Sequence, residues 1–261
     1  HLWTPDVYEG APTTITAYLS VAPKAGALAM MIRFFNQVFA DGGATIGLDG
    51  VSFTQIPWPE VMGILAVITM TLGNLVAIQQ NSIKRMLAYS SIAHAGYMLL
   101  AFPVMSSDGI YAIMIYLVMY LFMNLGAFFV VITVNNKTGG ETFEDYRGLG
   151  WEMPFVGVVM TIFMVSLTGL PPTAGFIGKF YIFASLIKGG SQFYWLVVLG
   201  GINSVISLYY YMRVVKVIFL DGERSDTILK PPPVMAGLLI VTAIPTLLLG
   251  IYWVPIAEWV Q

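Results

Sequence analysis

The sequence predicts an all-α polytopic membrane protein. Of its 261 residues, 57% are hydrophobic and only 10% are charged, where a soluble domain carries about 25% charged residues. Mean hydropathy is +0.79. The apolar residues gather in stretches of about 20 or more, the length a helix needs to cross ~30 Å of hydrocarbon. One soluble core could not hide so much apolar surface, which excludes a disordered chain and argues against a soluble enzyme.

Charge and special residues narrow the field further. A net charge of −2 offers no basic footprint for nucleic acid. The absence of Cys excludes disulfides, thiolate zinc sites and Cys-ligated iron–sulfur clusters, and two His argue against haem ligation. The first residues, His1-Leu2-Trp3-Thr4-Pro5-Asp6, carry no signal-peptide pattern. They read as the continuation of a longer protein, with this chain its C-terminal portion.

Continuous spans are expected at 13–38, 58–79, 84–105, 109–135, 191–219 and 233–257. Segment 154–188 is also apolar but is interrupted by Gly169-Leu170-Pro171-Pro172. As one helix its 35 residues would reach about 52 Å, too long for a straight crossing, while each half is short for a crossing of its own. Charge chooses between one broken span and two short ones. Lys84 and Arg85, Lys137 and Arg147, and Arg213, Lys216, Arg224 and Lys230 make eight of the twelve basic residues, and loops 40–57 and 106–108 have none. A single crossing puts all three basic loops on one side, as the positive-inside rule expects. The expectation is therefore seven crossings, one of them broken, with the C-terminus outside. Loop 136–153, with Glu141, Glu144, Asp145 and Glu152, reads as solvated.

Ionisable groups within spans are the functional candidates. Lys24 lies near the middle of 13–38. Thr13, Thr16, Ser20 and Lys24 share one helix face, and Pro23 frees the Leu19 carbonyl. The stripe suggests a hydratable path to an amine that handles protons; the structural alternative is a Lys locked to a carboxylate. No acid of this chain sits at mid-membrane depth, so any partner would come from other sequence. Lys179 follows the break at Pro171-Pro172, about two turns into the second half-helix, off the break but within reach of a water chain. It reads as a second proton carrier or as an anchor at a helix end. His94 shares a face with Ser90 and Tyr97 and reads as a relay or as a packing residue. Tyr116, Tyr120 and Asn124 make a comparable stripe, and Asn203, Ser204 and Ser207 sit in 191–219; such groups also simply bond neighbouring helices. Arg33 reads as snorkelling to an interface. Lys84 opens a span against the helix dipole, which topology alone would explain.

Several motifs in one order resemble a known family. Trp3-Thr4-Pro5-Asp6-Val7-Tyr8-Glu9-Gly10-Ala11-Pro12, Ser20-Val21-Ala22-Pro23-Lys24, Ile83-Lys84-Arg85-Met86-Leu87-Ala88-Tyr89-Ser90-Ser91-Ile92 and Gly169-Leu170-Pro171-Pro172 through Lys179-Phe180 resemble the antiporter-like subunits of respiratory complex I, NADH:quinone oxidoreductase. The likeness covers nearly the whole chain. Within that family, Asn124-Leu125-Gly126-Ala127-Phe128 stands where two sister groups tend to carry His or Lys.

The resemblance implies a fourteen-helix fold of two inverted repeats, each with a broken helix. Residues 1–11 would then be the tail of the first broken helix, and 12–261 a transmembrane antiporter-like domain. It also implies that Lys24 and Lys179 transfer protons, with Lys84 and His94 as possible relays in a Lys-Arg…Tyr-Ser-Ser…His pattern. No cofactor is expected in this chain; NADH, flavin, iron–sulfur clusters and quinone would belong to partner subunits. The expected setting is a bacterial plasma membrane, or alternatively an organellar inner membrane, among other membrane-arm subunits, sister antiporter-like subunits and lipid. The expected function is proton translocation. A cation/proton antiporter subunit of the same fold is the alternative, and a purely structural subunit a third.

Overall fold

Proline and glycine punctuate the chain, and the helices run between them. The computed structural model describes residues 3–39, 57–222 and 228–260. His1, Leu2, the loop 40–56 and Arg224 therefore lie outside the described residues. In order come α1 (Thr4–Gly10), α2 (Thr13–Leu19), α3 (Ala22–Phe39), α4 (Trp58–Ile78), α5 (Ile83–Leu99), α6 (Ser107–Thr138), α7 (Leu149–Glu152), α8 (Pro154–Thr168), α9 (Ala174–Lys188), α10 (Tyr194–Phe219), α11 (Pro233–Ile251) and α12 (Val254–Val260). Proline opens α1, α4, α8 and α11, where a missing N–H costs no helical hydrogen bond. No strand occurs among the described residues.

Among the described residues, five stretches are long and apolar enough to cross a membrane: Thr13–Gln37, Trp58–Ile78, Ser107–Thr138, Ser191–Phe219 and Pro233–Ile251. A sixth counts if Phe143–Glu152 and Pro154–Thr168, which meet at a 119° bend, form one unit. The expected span 84–105 is shorter than anticipated, because α5 stops at Leu99 and turns follow through Val104. Span 13–38 breaks between α2 and α3 at Ser20-Val21, just before Pro23.

α5 and α6 form the centre, and most of their residues are buried. α4 lies against α5 with the backbones almost in contact. A Cβ on Gly73 would fall 2.7 Å from the Ala93 nitrogen, and one on Gly96 would fall 2.6 Å from the Met70 nitrogen. Small residues at such crossings let helices gain dispersion contact where lipid offers no hydrophobic drive. α2, α8, α9 and α11 pack around α6, and α10 packs against α4 and α8.

The broken segment runs once along α6. Phe163 packs on Gly126, the Ser166 hydroxyl donates to Met123 Sδ at 3.4 Å, Gly175 lies beside Met123, Gly178 faces Tyr116, and Lys188 pairs with Asp108. Ascending the segment thus means descending α6, by 18 residues or about 27 Å. α8 ends at Gly169 in the left-handed region (φ 86°). A Cβ on Gly175 would strike the Ser166 carbonyl oxygen at 1.8 Å, so only glycine lets the second half-helix start this close to the first.

The described parts of the basic loops meet at one end of the molecule. The Ile83 N–H donates to the Glu141 carbonyl, the Phe143 N–H to Asn81, the Gly148 N–H to Val217 and the Leu229 N–H to Glu152. Loop 136–153 departs from the solvated expectation: Phe143, Tyr146 and Leu149 are buried, and Arg213 lies 4.2 Å over the Phe143 ring. Its apolar residues anchor a segment that its four acids had made look wholly polar.

Candidate functional site

The α2–α3 junction places Lys24 against α5 and α6. Its Nζ donates to the Ser91 carbonyl at 2.7 Å, to the Ser91 hydroxyl, and to the Tyr120 hydroxyl at 3.4 Å. It also lies 5.3 Å from the Tyr120 ring centre. The residue as a whole is half-buried, because the outer face of α3 has no partner within the described residues. The stripe below it does turn inward. Thr13, Thr16 and Ser20 are buried; the Thr13 hydroxyl donates to Glu141 at 2.9 Å, and Ser20 accepts from Asn124 Nδ2 at 2.6 Å. The carbonyl that Pro23 frees at Leu19 takes a hydrogen bond from the Tyr8 hydroxyl at 3.1 Å.

Lys179 is buried and folds back onto the break. Its Nζ donates to the Thr168 carbonyl at 2.8 Å and to the Ser204 hydroxyl at 3.1 Å, and sits 4.3 Å from the Tyr97 ring centre. The expectation placed it off the break, two turns along. The structure corrects this: a Lys stem is long enough to reach back, and the open carbonyls at the end of α8 draw a cation. Gly169 leaves room for that stem, since a Cβ there would meet Lys179 Cδ at 2.8 Å.

His94 lies between the two amines. Its Nδ1 is 2.7 Å from the Tyr116 hydroxyl and its Nε2 is 3.1 Å from the Tyr211 hydroxyl. Its ring centre is 5.1 Å from that of Tyr120, beside Lys24, and 5.9 Å from that of Tyr97, beside Lys179. Tyr211 also hydrogen-bonds Ser90, and Tyr97 accepts from Ser204 at 3.2 Å. A neutral imidazole offers one donor and one acceptor, and a phenol offers both, so each link can run in either direction. The Ser90/His94/Tyr97 face and the Tyr116/Tyr120/Asn124 stripe thus meet as two sides of one interior seam.

Lys84 stands apart, at the end of the molecule where the basic loops meet. Its Nζ donates to Glu141 Oε1 at 3.1 Å and to the carbonyls of Ala11 at 2.8 Å and Glu9 at 3.2 Å. Thr13 and Asn135 donate to the same carboxylate oxygen. Lys84 and Glu141 line a cavity of about 480 Å³ with residues 10–14 and the end of α6.

Other residues belong to the site without having been singled out. Ser91 bonds Lys24 directly, but it stands one position off the Ser90/His94 face. Tyr211 continues the Asn203, Ser207 spacing by one more step of four. Asn74 is the amide in the interior of the apolar span 58–79; its Nδ2 donates to Asn203 at 3.0 Å and its Oδ1 accepts from Tyr210 at 3.0 Å. Among the described residues no three of His, Asp or Glu gather closely enough to hold a metal ion.

The chain is similar to known proteins along its length. The family described as NADH:quinone oxidoreductase/Mrp antiporter, TM, matches residues 1–207. NADH-quinone oxidoreductase subunit N 2 of Sorangium cellulosum is 54% identical over all of this chain and 51% of its own length. A chain of respiratory complex I from Thermus thermophilus superposes with TM-score 0.79 at 32% identity, covering 99% of this chain and 54% of that one. A chain of an archaeal membrane-bound sulfane sulfur reductase superposes with TM-score 0.85 at 26% identity, covering 99% and 50%. The chain thus spans about half the length of the relatives it matches. With the family's description matching four-fifths of the residues, this chain belongs to the membrane-subunit family shared by NADH:quinone oxidoreductases and Mrp antiporters.

Proposed function

We propose that the chain is part of a subunit-N-type, proton-translocating membrane subunit of NADH:quinone oxidoreductase. The observation that carries the reading is the pair of amines on either side of His94. Among the described residues neither Lys24 nor Lys179 has a carboxylate partner; hydroxyls, carbonyls and tyrosine rings hold them. Each can release and regain a proton without breaking an ion pair. Protons would pass between Lys24 and Lys179 by way of Tyr120, His94, Tyr116, Tyr211 and Ser204, with water closing the gaps between rings. Lys84 and Glu141 would lie on the access route at the basic end, through Thr13, Thr16 and Ser20.

The finer architecture follows the same reading. Seven crossings result if α5 and the α8–α9 pair each count as one, within a fourteen-helix fold of two inverted repeats. The single pass of α8–α9 along α6, and the meeting of the described parts of the basic loops at one end, support that count; loops 80–83, 136–153 and 220–232 would then lie on the cytoplasmic side. α1 would be the tail of a first broken helix. The chain would carry no redox centre; NADH, flavin, iron–sulfur clusters and quinone would belong to partner subunits in a bacterial plasma membrane. The family's description also names Mrp antiporters, so cation/proton exchange is the alternative use of the same seam.

Vesicles containing the intact assembly test the reading. NADH-driven, quinone-dependent proton uptake is expected, and Lys24→Ala should lower it while leaving assembly intact. A response to a Na⁺ or K⁺ gradient without NADH would favour exchange. Full pumping with both lysines replaced would leave only a structural role. Single-Cys labelling of loops 136–153 and 220–232 from opposite sides would refute the topology.

A further inference from the structure

Where the basic end of the molecule meets the outer face of α10, there is a pocket of about 700 Å³. One wall is cationic, with Arg147 from the loop and Arg213 and Lys216 from the last turns of α10; the other is apolar, with Val205, Tyr209 and Met212. The apolar wall is the lower part of a stripe that begins Trp195, Val198, Ile202. Spacings of three and four keep these six on one helix face, and Lys216 is the next step. The five from Trp195 to Tyr209 are exposed.

We propose that this pocket binds one anionic phospholipid, its phosphate on the three cations and its acyl chains on the stripe. The proposal rests on the reading of the chain as membrane-embedded, not on the proton path.

Dimensions agree with it. Half of a ~30 Å hydrocarbon core is about 15 Å, or ten residues of helix. Counting back ten residues from Lys216 ends beside Val205, where the pocket's apolar wall ends. The charge agrees as well. Glu144 pairs with Arg147 at 3.1 Å and Asp221 with Lys216 at 3.3 Å, so among the described residues lining the pocket three cations face two acids and one positive charge remains. That remainder is centred on Arg213, whose Nη1 donates to the Ile78 and Gln80 carbonyls at 3.3 and 3.0 Å. Carbonyl dipoles and the Phe143 ring fix this guanidinium in place without neutralising it. A planar guanidinium matches two phosphate oxygens, and basic residues at the cytoplasmic surface select anionic headgroups. A zwitterionic lipid would leave the charge uncompensated, and so would an apolar partner helix on the stripe.

The test uses the assembled complex in phosphatidylcholine vesicles doped with phosphatidylglycerol or phosphatidylcholine bearing a photoreactive acyl chain. Adducts are mapped by mass spectrometry. The expected result is adducts on 205–212 several times more abundant from phosphatidylglycerol. Arg147→Gln with Lys216→Gln should bring that yield down several-fold, to the level of phosphatidylcholine, since each basic residue at an anionic surface is worth up to roughly fivefold; Arg213 is kept because it ties α10 to residues 78–80. Free glycerol phosphate in excess should not compete, since it lacks the chains the stripe takes up. Equal yields from the two lipids, an unchanged yield in the double variant, competition by glycerol phosphate, or no adduct because a protein covers α10 would each overturn the proposal. NADH-driven pumping is read in the same vesicles. Lost lipid selectivity with pumping retained is expected, since neither residue touches Lys24, His94 or Lys179. A wild-type complex that selects phosphatidylglycerol without pumping would sink the translocation reading and leave this one standing.

Discussion

Lys84 and Lys179 are buried to the same degree, at 3% and 4% exposure, and each does a similar local job. Both send the ammonium to backbone carbonyls where a helix stops shortly before a proline. Lys84 reaches Glu9 and Ala11 beside Pro12, and Lys179 reaches Thr168 beside Pro171. The difference is the counter-charge. Lys84 faces Glu141, whereas Lys179 faces a hydroxyl and the tyrosine ring of Tyr97. Burying an ammonium with its carboxylate fixes a charge in place. Burying one among dipoles leaves protonation open to change. The first arrangement suits a clasp between α1, α5 and loop 136–153, and the second suits a carrier.

The sharpest way to break that contrast is to freeze the charge. Lys179→Arg and Lys179→Met should both cut NADH-driven proton translocation in the assembled complex. The expected loss is roughly 10²-fold, the low end of what a positioned proton-transfer group contributes. Oxidation of NADH by an artificial acceptor, which bypasses the membrane arm, should stay near normal. A guanidinium hardly ever releases its proton, so full pumping by Lys179→Arg would make Lys179 another fixed charge like Lys84. Lys24→Arg should act in the same direction but less strongly, because Lys24 is only half-buried as a residue and a water can take over part of its role.

His94 extends the contrast to the seam between the amines. His94→Phe keeps the ring in its cage of Tyr97, Tyr116 and Tyr120 but offers neither donor nor acceptor. Pumping should fall about tenfold, below the usual range for a direct acid–base group because water can bypass one link. Stability of the assembly should change little more than leaving the Tyr116 phenol unpaired implies, about 1–3 kcal/mol, since Tyr211 keeps its bond to Ser90. Unchanged pumping would return His94 to a packing role.

At the clasp the expected loss is structural. Glu141→Gln leaves Lys84 buried without its counter-charge, which should destabilise the assembled complex by about 2–3 kcal/mol. That is below the usual cost of breaking a buried pair, because Glu141 is 21% exposed. Lys84→Arg keeps the pair and should pump nearly normally. Loss of pumping in a stable Lys84→Arg complex would mark Lys84 as a carrier too.

Much of this site was legible in the sequence, and the failures have a common cause. Apolar length marked where α2 to α6 and α10 to α11 run, and helical spacing put Thr13, Thr16 and Ser20 on one face and His94 and Tyr116 each on a polar stripe, though not the meeting of the two stripes. Pro23 correctly announced an open carbonyl at Leu19. Periodicity is silent about what side chains do over long reach. It placed Lys179 by its Cα, two turns past the break, when a four-carbon stem returns the ammonium to Thr168. It read loop 136–153 by its charges, and Glu141 became a partner of Lys84 only once α1, α5 and the loop had come together. Ser91 lies one position off its stripe and Asn74 on no stripe, so their partners, Lys24 and Asn203, came only from tertiary contact.

The smallest effect belongs to a third lysine pair, at the opposite end of the molecule. Lys188 and Asp108 meet at 2.9 Å, nearly the separation of Lys84 and Glu141, but with side chains 67% and 52% exposed. Water already solvates both ions there, so the attraction is screened, and ordering two long side chains offsets most of it. Asp108→Asn should therefore change the stability of the complex by about 0.5 kcal/mol or less, within the scatter of a thermal melt, and leave pumping untouched. Measured beside Glu141→Gln, it separates burial from mere proximity, since the two substitutions remove the same charge at almost the same distance from a Lys. An equal loss from both would mean that the clasp at Lys84 draws nothing from its enclosure. The contrast with Lys179 would then have to rest on hydrogen-bond geometry alone.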